Sequence, residues 1–245
     1  RIDPLEDIKI INAELALSDL DILEKNFQKQ RKIQKTDDEK KKVIILEKAI
    51  DLISNEKQLL GNLEKDEIEY LNTFQLISIK PVVYVCNVDE YSAVDGNEFT
   101  KKIDEYAEKN NSEVLLVSAK IESEISQISD ENEKKEFLES LGLVETGLKR
   151  VIRKGYEILN YINFFTAGEK ELRAWTIVKG SLAPTAAGTI HSDMEKGFIR
   201  AETISYDDYI EFKGEAGSKE KGKLRLEGKE YVVQDGDVMH FLFNV

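Results

Sequence analysis

Two apolar runs separated by one helical segment constrain this chain more than any other feature. Val82-Val83-Tyr84-Val85 is β-prone and unbroken by polar residues, the texture of a strand covered on both faces. "TKKIDEYAEKN" follows with helical character, and "EVLLVSAK" is a second apolar run. Strand, helix and strand at this spacing call for a parallel pair, because parallel strands need a crossover rather than a tight turn. The expectation is an α/β unit, and such open sheets bind ligands beyond the carboxyl ends of their strands.

The first run stops at Asn87-Val88-Asp89-Glu90. An Asn carboxamide carries a donor beside an acceptor, so it can donate to a purine N7 while accepting from an adenine N6 amine. GTPases place Asn-Lys-x-Asp here, and the Asp accepts both N–H groups of the guanine edge. Val88 stands where they have Lys and Glu90 where they have Asp; the longer carboxylate moves the acceptor and disfavours guanine. The plainer alternative is that Asn87 caps the following turn. The second run ends in Ser118-Ala119-Lys120, the tripeptide that supplies backbone N–H contacts to the base in P-loop GTPases. Its plainer alternative is an ordinary strand-to-helix turn.

Before these strands, Glu6 to about Lys35 has no Pro or Gly, and Ile10, Ala13, Leu17, Leu20, Leu23 and Phe27 recur at helical steps. A second helix restarts at Thr36, where Thr36 with Glu39 fits a capping box; its stripe is Val43, Leu46, Ile50 and Ile53, and Gly61 is the expected stop. The two should form an antiparallel hairpin, followed by a third helix from Asp66 to about Ile77. Lys25–Lys42 holds eight Lys or Arg against three acids, a local excess of five in a chain of net charge −13. It reads either as a soluble helix tip or as an arm that meets phosphates, carried by the hairpin away from the protein's own acids.

Residues 121–160 look mostly helical. From Tyr161 short strands follow, "RAWTIV", "GFIRAETI", "KEYVV" and "DVMHFLF", interrupted by one helix, "SYDDYIEFKG", with Asp235-Gly236 as a hairpin signal. This is a small α+β domain. No apolar run approaches the roughly 18 residues of a membrane span, no signal peptide opens "RIDPLEDIKI", and the single Cys86 suits a reducing compartment. A cytoplasmic protein is expected, with neither membrane nor DNA as partner, since an acidic chain is no evenly basic nucleic-acid binder. No G-x-x-x-x-G-K-[S/T] occurs, and His191 and His240 pair with Cys in no metal pattern.

"DPLEDIKIINAELALSDLDILEK", "PVVYVCNVDE", "FFTAGEKELRAWTIVKGSLAPTAAGTIHSDMEKGFIRAETI" and "DGDVMHFLFNV" together resemble the YchF-type Obg-like ATPases across essentially the whole chain. The resemblance implies a P-loop NTPase domain with a parallel sheet (residues 1–17 and 78–160), interrupted by an α-helical coiled-coil hairpin (18–77). A ubiquitin-like β-grasp TGS domain (161–245) closes it. It also implies hydrolysis of ATP in preference to GTP, with Mg2+, and association with the ribosome. Asn87 and Glu90 match the family's Asn-x-x-Glu; Val88 then lies against the base, and Ser118 and Ala119 match the loop on its far side. The family's phosphate-binding loop, switch regions and hydrolytic His precede the segment that Arg1–Glu6 resembles. The chain is therefore expected to be a fragment with no catalytic residue or metal ligand of its own and no cofactor bound. Lys29, Arg31, Lys32 and Lys35 on the tip, and Arg173, Lys179, Lys196 and Arg200 after it, are the expected ribosome contacts; Trp175, Phe198 and Tyr231 are expected in the last core. The alternative is a non-catalytic ribosome- or RNA-binding module made of hairpin and TGS domain.

Overall fold

Helix α1 (Pro4–Ile33) begins where the Asp3 carboxylate accepts from Glu6 N and Pro4 fills a position that needs no N–H. In this computed structural model, which describes residues 2–168 and 171–244, the expectations that reach Arg1 and Val245 lie outside the described residues. The chain forms two compact units, 1–151 and 152–245. Helix α2 (Asp37–Ser54) starts at the anticipated capping box, with Glu39 N donating to Thr36 Oγ1 and Thr36 N to Glu39 Oε2. The two helices fold back on one another around Leu23, Ile45, Leu46, Ala49, Leu52 and Ile53.

The buried stripe of α1 is shorter than its periodicity suggests. Leu20, Leu23 and Phe27 face the core, but Ile10, Ala13 and Leu17 are exposed, Leu17 at 64%. Length explains this: at about 1.5 Å per residue the 30-residue α1 outruns the 18-residue α2, so its first turns have no partner in the hairpin. Helix α2 also stops at Ser54 rather than Gly61. Glu56 takes a left-handed φ of 56°, Lys57 N donates to Leu52 O and Glu56 N to Ile53 O, which closes the helix in a Schellman motif. Helix α3 (Lys65–Asn72) likewise falls short of Ile77. Asp19, fully buried on α1, accepts from Ile77 N, Ser78 N and Ser78 Oγ, and so ties the hairpin to the segment that leads into the sheet.

Strands β1 (Val83–Asn87) and β2 (Glu113–Val117) pair in parallel, Val83 opposite Glu113 and Asn87 opposite Val117, with α4 (Glu98–Lys109) as the crossover. Parallel pairing is as expected; cover on both faces is not. The sheet has two strands, and Val82 and Val85 are 43% and 51% exposed. A two-stranded sheet has two edges and too few layers to shield both faces. Helices α5 (Ala119–Ile125), α6 (Glu131–Ser140) and α7 (Gly147–Ile158) follow.

The second unit is one mixed sheet of β3 (Tyr161–Ala167), β4 (Leu172–Val178), β5 (Phe198–Ile204), β6 (Arg225–Glu227) and β7 (Val238–Phe243), in the order β4-β3-β7-β5-β6. Strands β3 and β7 run parallel; the other pairs are antiparallel. "KEYVV" is not a strand and contributes only the bridge of Val232 to Leu182. Asp235-Gly236 makes a turn, Gly236 at φ 85°, but no hairpin, because β7 pairs with β3 and β5. Helices α8 (Ala183–Ile190) and α9 (Ser192–Lys196) form where none was expected, and α11 (Glu215–Glu220) joins the anticipated α10 (Tyr206–Glu211). Pro184 sits in the first turn of α8, where its missing N–H costs nothing. The fully buried Ala183, Ala186 and Ala187 pack α8 into the core, which holds Phe164, Phe198, Met239 and Phe241, with Trp175 and Tyr231 against it. No helix among the described residues is long and apolar enough to cross a membrane.

Candidate functional site

The register that sets Asn87 beside Val117 brings the ends of β1 and β2 to one place. Val88 N donates to Val117 O at 2.8 Å and extends the pairing by one step. Asn87 Oδ1 then accepts from Ala119 N at 3.0 Å, and Lys120 Nζ lies 2.7 Å from Glu90 Oε2. Two bonds therefore latch the Asn-Val-Asp-Glu turn to the Ser-Ala-Lys turn. Asp89 accepts from Ser92 N at 2.9 Å and caps the 3-10 turn Glu90–Ser92, which fixes the backbone at Glu90. The cap role considered for Asn87 belongs to Asp89.

The first helix after β2 is braced from behind. Glu122 accepts from Gly147 N at 2.6 Å and Leu148 N at 3.3 Å, and Arg150 Nη2 donates to Leu116 O at 2.8 Å. A Cβ at Gly147 would sit 3.0 Å from Val117 Cγ1 and 3.1 Å from Glu122 Oε1, so a larger residue there would push these side chains back by a few tenths of an ångström. Asn87 and Ala119 are exposed and Val88 is half-buried, leaving the Asn87 Nδ2 amide as a donor toward solvent. Ser118 is 3% exposed and its Oγ has no partner among the described residues. Hydrogen bonding to Glu90 raises the Lys120 pKa, so the ammonium stays charged, while burial pushes the half-buried Cys86 thiol up.

All five base-site candidates thus lie together, with Asn87 Oδ1 already committed to Ala119. Lys120 was absent from the sequence-derived set. Its signal was available, since it completes the Ser-Ala-Lys turn, but only the fold shows it on Glu90.

The hairpin tip is less isolated electrostatically than its charge count suggests. Lys25 pairs with Asp21, Lys40 with Asp37, Lys41 with Asp66 and Lys42 with Asp38. The protein's own acids therefore do reach the tip, because each helical turn sets an i±3 or i±4 acid beside a cation and α3 brings Asp66 to α2. Lys29, Arg31, Lys32 and Lys35 have no ion pair among the described residues; Arg31 lies 6.0 Å over the Phe27 ring. In the second unit Arg173, Lys179, Lys196 and Arg200 are all exposed. They do not share one face: Arg173 stacks 4.0 Å over Trp175 on the core-bearing side, whereas Arg200 neighbours the core residue Ala201 and turns the other way.

A family model described as "Protein of unknown function (DUF933)", YchF-GTPase_C, matches residues 161–244. Ribosome-binding ATPase YchF of Pasteurella multocida is 50% identical over 248 residues, covering all of this chain and 68% of the relative. The Bacillus subtilis protein of the same name is 48% identical over 250 residues, with the same coverage. Among solved structures, the Schizosaccharomyces pombe YchF GTPase superposes with a TM-score of 0.88 at 34% identity, over 98% of this chain and 66% of that one. The chain thus spans about two thirds of the length of these relatives, and with that identity and coverage it belongs to the YchF family.

Proposed function

We propose that this chain is the base-reading and ribosome-contacting part of a cytoplasmic ATPase switch that prefers ATP to GTP. The observation that carries this reading is the double latch of Asn87 to Ala119 and Glu90 to Lys120 at the carboxyl ends of two parallel strands. With Oδ1 held by Ala119, Asn87 donates through Nδ2 to the purine N7, Val88 lies against the ring, and Ser118-Ala119 border its far side. The names of the bacterial relatives support the activity.

Triphosphate and Mg2+ would be held elsewhere. The 245 residues contain no phosphate-loop sequence, and no three His, Cys, Asp or Glu side chains gather among the described residues. Both functions then fall to the part of the relatives outside the match. Residues 1–17 and 78–160 are the nucleotide-binding part, 18–77 a coiled-coil hairpin and 161–245 a TGS domain of ubiquitin-like β-grasp form. The strand order β4-β3-β7-β5-β6 with α8 against the core supports the last assignment.

The test is nucleotide binding by the protein extended to the relatives' length. Asn87→Ala should weaken ATP binding while leaving ribosome co-sedimentation intact; unchanged ATP affinity would sink the base-site assignment. A second reading, a ribosome- or RNA-binding module without hydrolysis, is favoured by the four tip cations left without acid partners among the described residues.

A further inference from the structure

We infer that Lys120 is a specificity-determining residue, its ammonium and the Glu90 carboxylate forming an acceptor–donor pair that complements adenine and rejects guanine. The inference rests on the base-site reading above. Lys120 Nζ takes Glu90 Oε2 at 2.7 Å, which leaves one carboxylate oxygen, Oε1, without the lysine. The backbone on both sides is fixed, by Asp89 on Ser92 N at one end and by Asn87 on Ala119 N at the other. The pair is 65% and 30% exposed, so as a surface ion pair it adds little to stability. Its geometry matters more for what it leaves available.

A carboxylate offers two acceptor oxygens, and an ammonium three donors and no acceptor. The adenine edge presents one donor, the N6 amine, beside one acceptor, N1. Glu90 Oε1 accepts from N6, and a second N–H of Lys120 donates to N1. Guanine presents two adjacent donors, N1–H and the N2 amine, which together need both oxygens of one carboxylate. Here Oε2 is already shared with Lys120, and that ammonium is itself a donor facing donors. Discrimination thus comes from a repulsive element as much as from an attractive one.

Mg-ATP and Mg-GTP are titrated separately into the protein extended to the relatives' length, as wild type, Lys120→Met and Lys120→Arg. Lys120→Met should narrow the ATP-over-GTP preference about tenfold, within the range that one good base contact gives. Lys120→Arg, which keeps charge and donors, should retain most of the preference, and thermal melts should superimpose because the side chain is exposed. Equal weakening of both nucleotides with the ratio unchanged overturns the inference and makes Lys120 a clamp between two turns. Asn87→Ala separates the failures: if its nucleotide affinities equal the wild type's, the base-site reading falls and this inference with it.

Discussion

Glu90 shows how one methylene redirects a site. Its reach lets Oε2 accept from Lys120, whereas in the proposed base site a shorter Asp would lose that partner and turn both oxygens to the base. Val88→Lys with Glu90→Asp should therefore shift preference toward GTP, by about 1–3 kcal/mol for a bidentate base contact; ATP and GTP titrations of the extended protein read it, and an unchanged ratio counts against the assignment. Tyr231 offers a different test. Burial, then its bond to the buried Asp237 at 2.7 Å, pushes its pKa up to about 12, while Arg225 opposes the shift. A folded-state pKa above the unfolded value near 10 means a contribution fully present below about pH 10 and lost as the pH rises towards 12. Residues 152–245 should lose stability in that window, and in Tyr231→Phe this alkaline loss should shrink, as denaturant midpoints between pH 9 and 12 would show.

Among the elements, the hairpin carries the clearest prediction. Four of its eight tip cations hold acids, so the charge open to a partner is that of Lys29, Arg31, Lys32 and Lys35. Changing these four to Gln should weaken ribosome association and flatten its salt dependence, by roughly one unit of log–log slope for each phosphate no longer neutralised. Helix content should stay the same, since the capping box at Thr36 and the apolar seam are untouched. Sedimentation with ribosomes across a salt series measures it; superimposed titrations would leave the tip a solvated turn. Capping and stripe were legible in the sequence of these helices. The end of α2 was not, because Glu56 rather than glycine takes the left-handed position.

For the whole molecule, the decisive quantity is what the 245 residues can hold alone. Affinity for a triphosphate in this kind of domain comes largely from a phosphate-cradling loop and its metal, and neither the loop sequence nor a gathered set of metal ligands is present among the described residues. Isothermal titration of these residues with Mg-ATP should show no micromolar binding; a micromolar isotherm would overturn the proposed division of labour.

Local chemistry determined much of this protein by itself. Helical periodicity with a Thr36–Glu39 box gives the hairpin, and two β-prone runs around a helix give a parallel pair ending at Asn87 and Val117. These signals lie within a few residues of one another and need no distant partner. Tertiary structure decided the rest. Whether Val85 is covered, how much of α1 is buried, that Asp19 lies inside, and that Lys120 meets Glu90 all depend on segments far apart in sequence. The second sheet makes the same point: "KEYVV" has strand composition, yet β5 pairs instead with Arg225–Glu227 and β7 lies beside β3. Composition fixes what a segment can become; competition among backbone partners for hydrogen bonds and buried area fixes what it is.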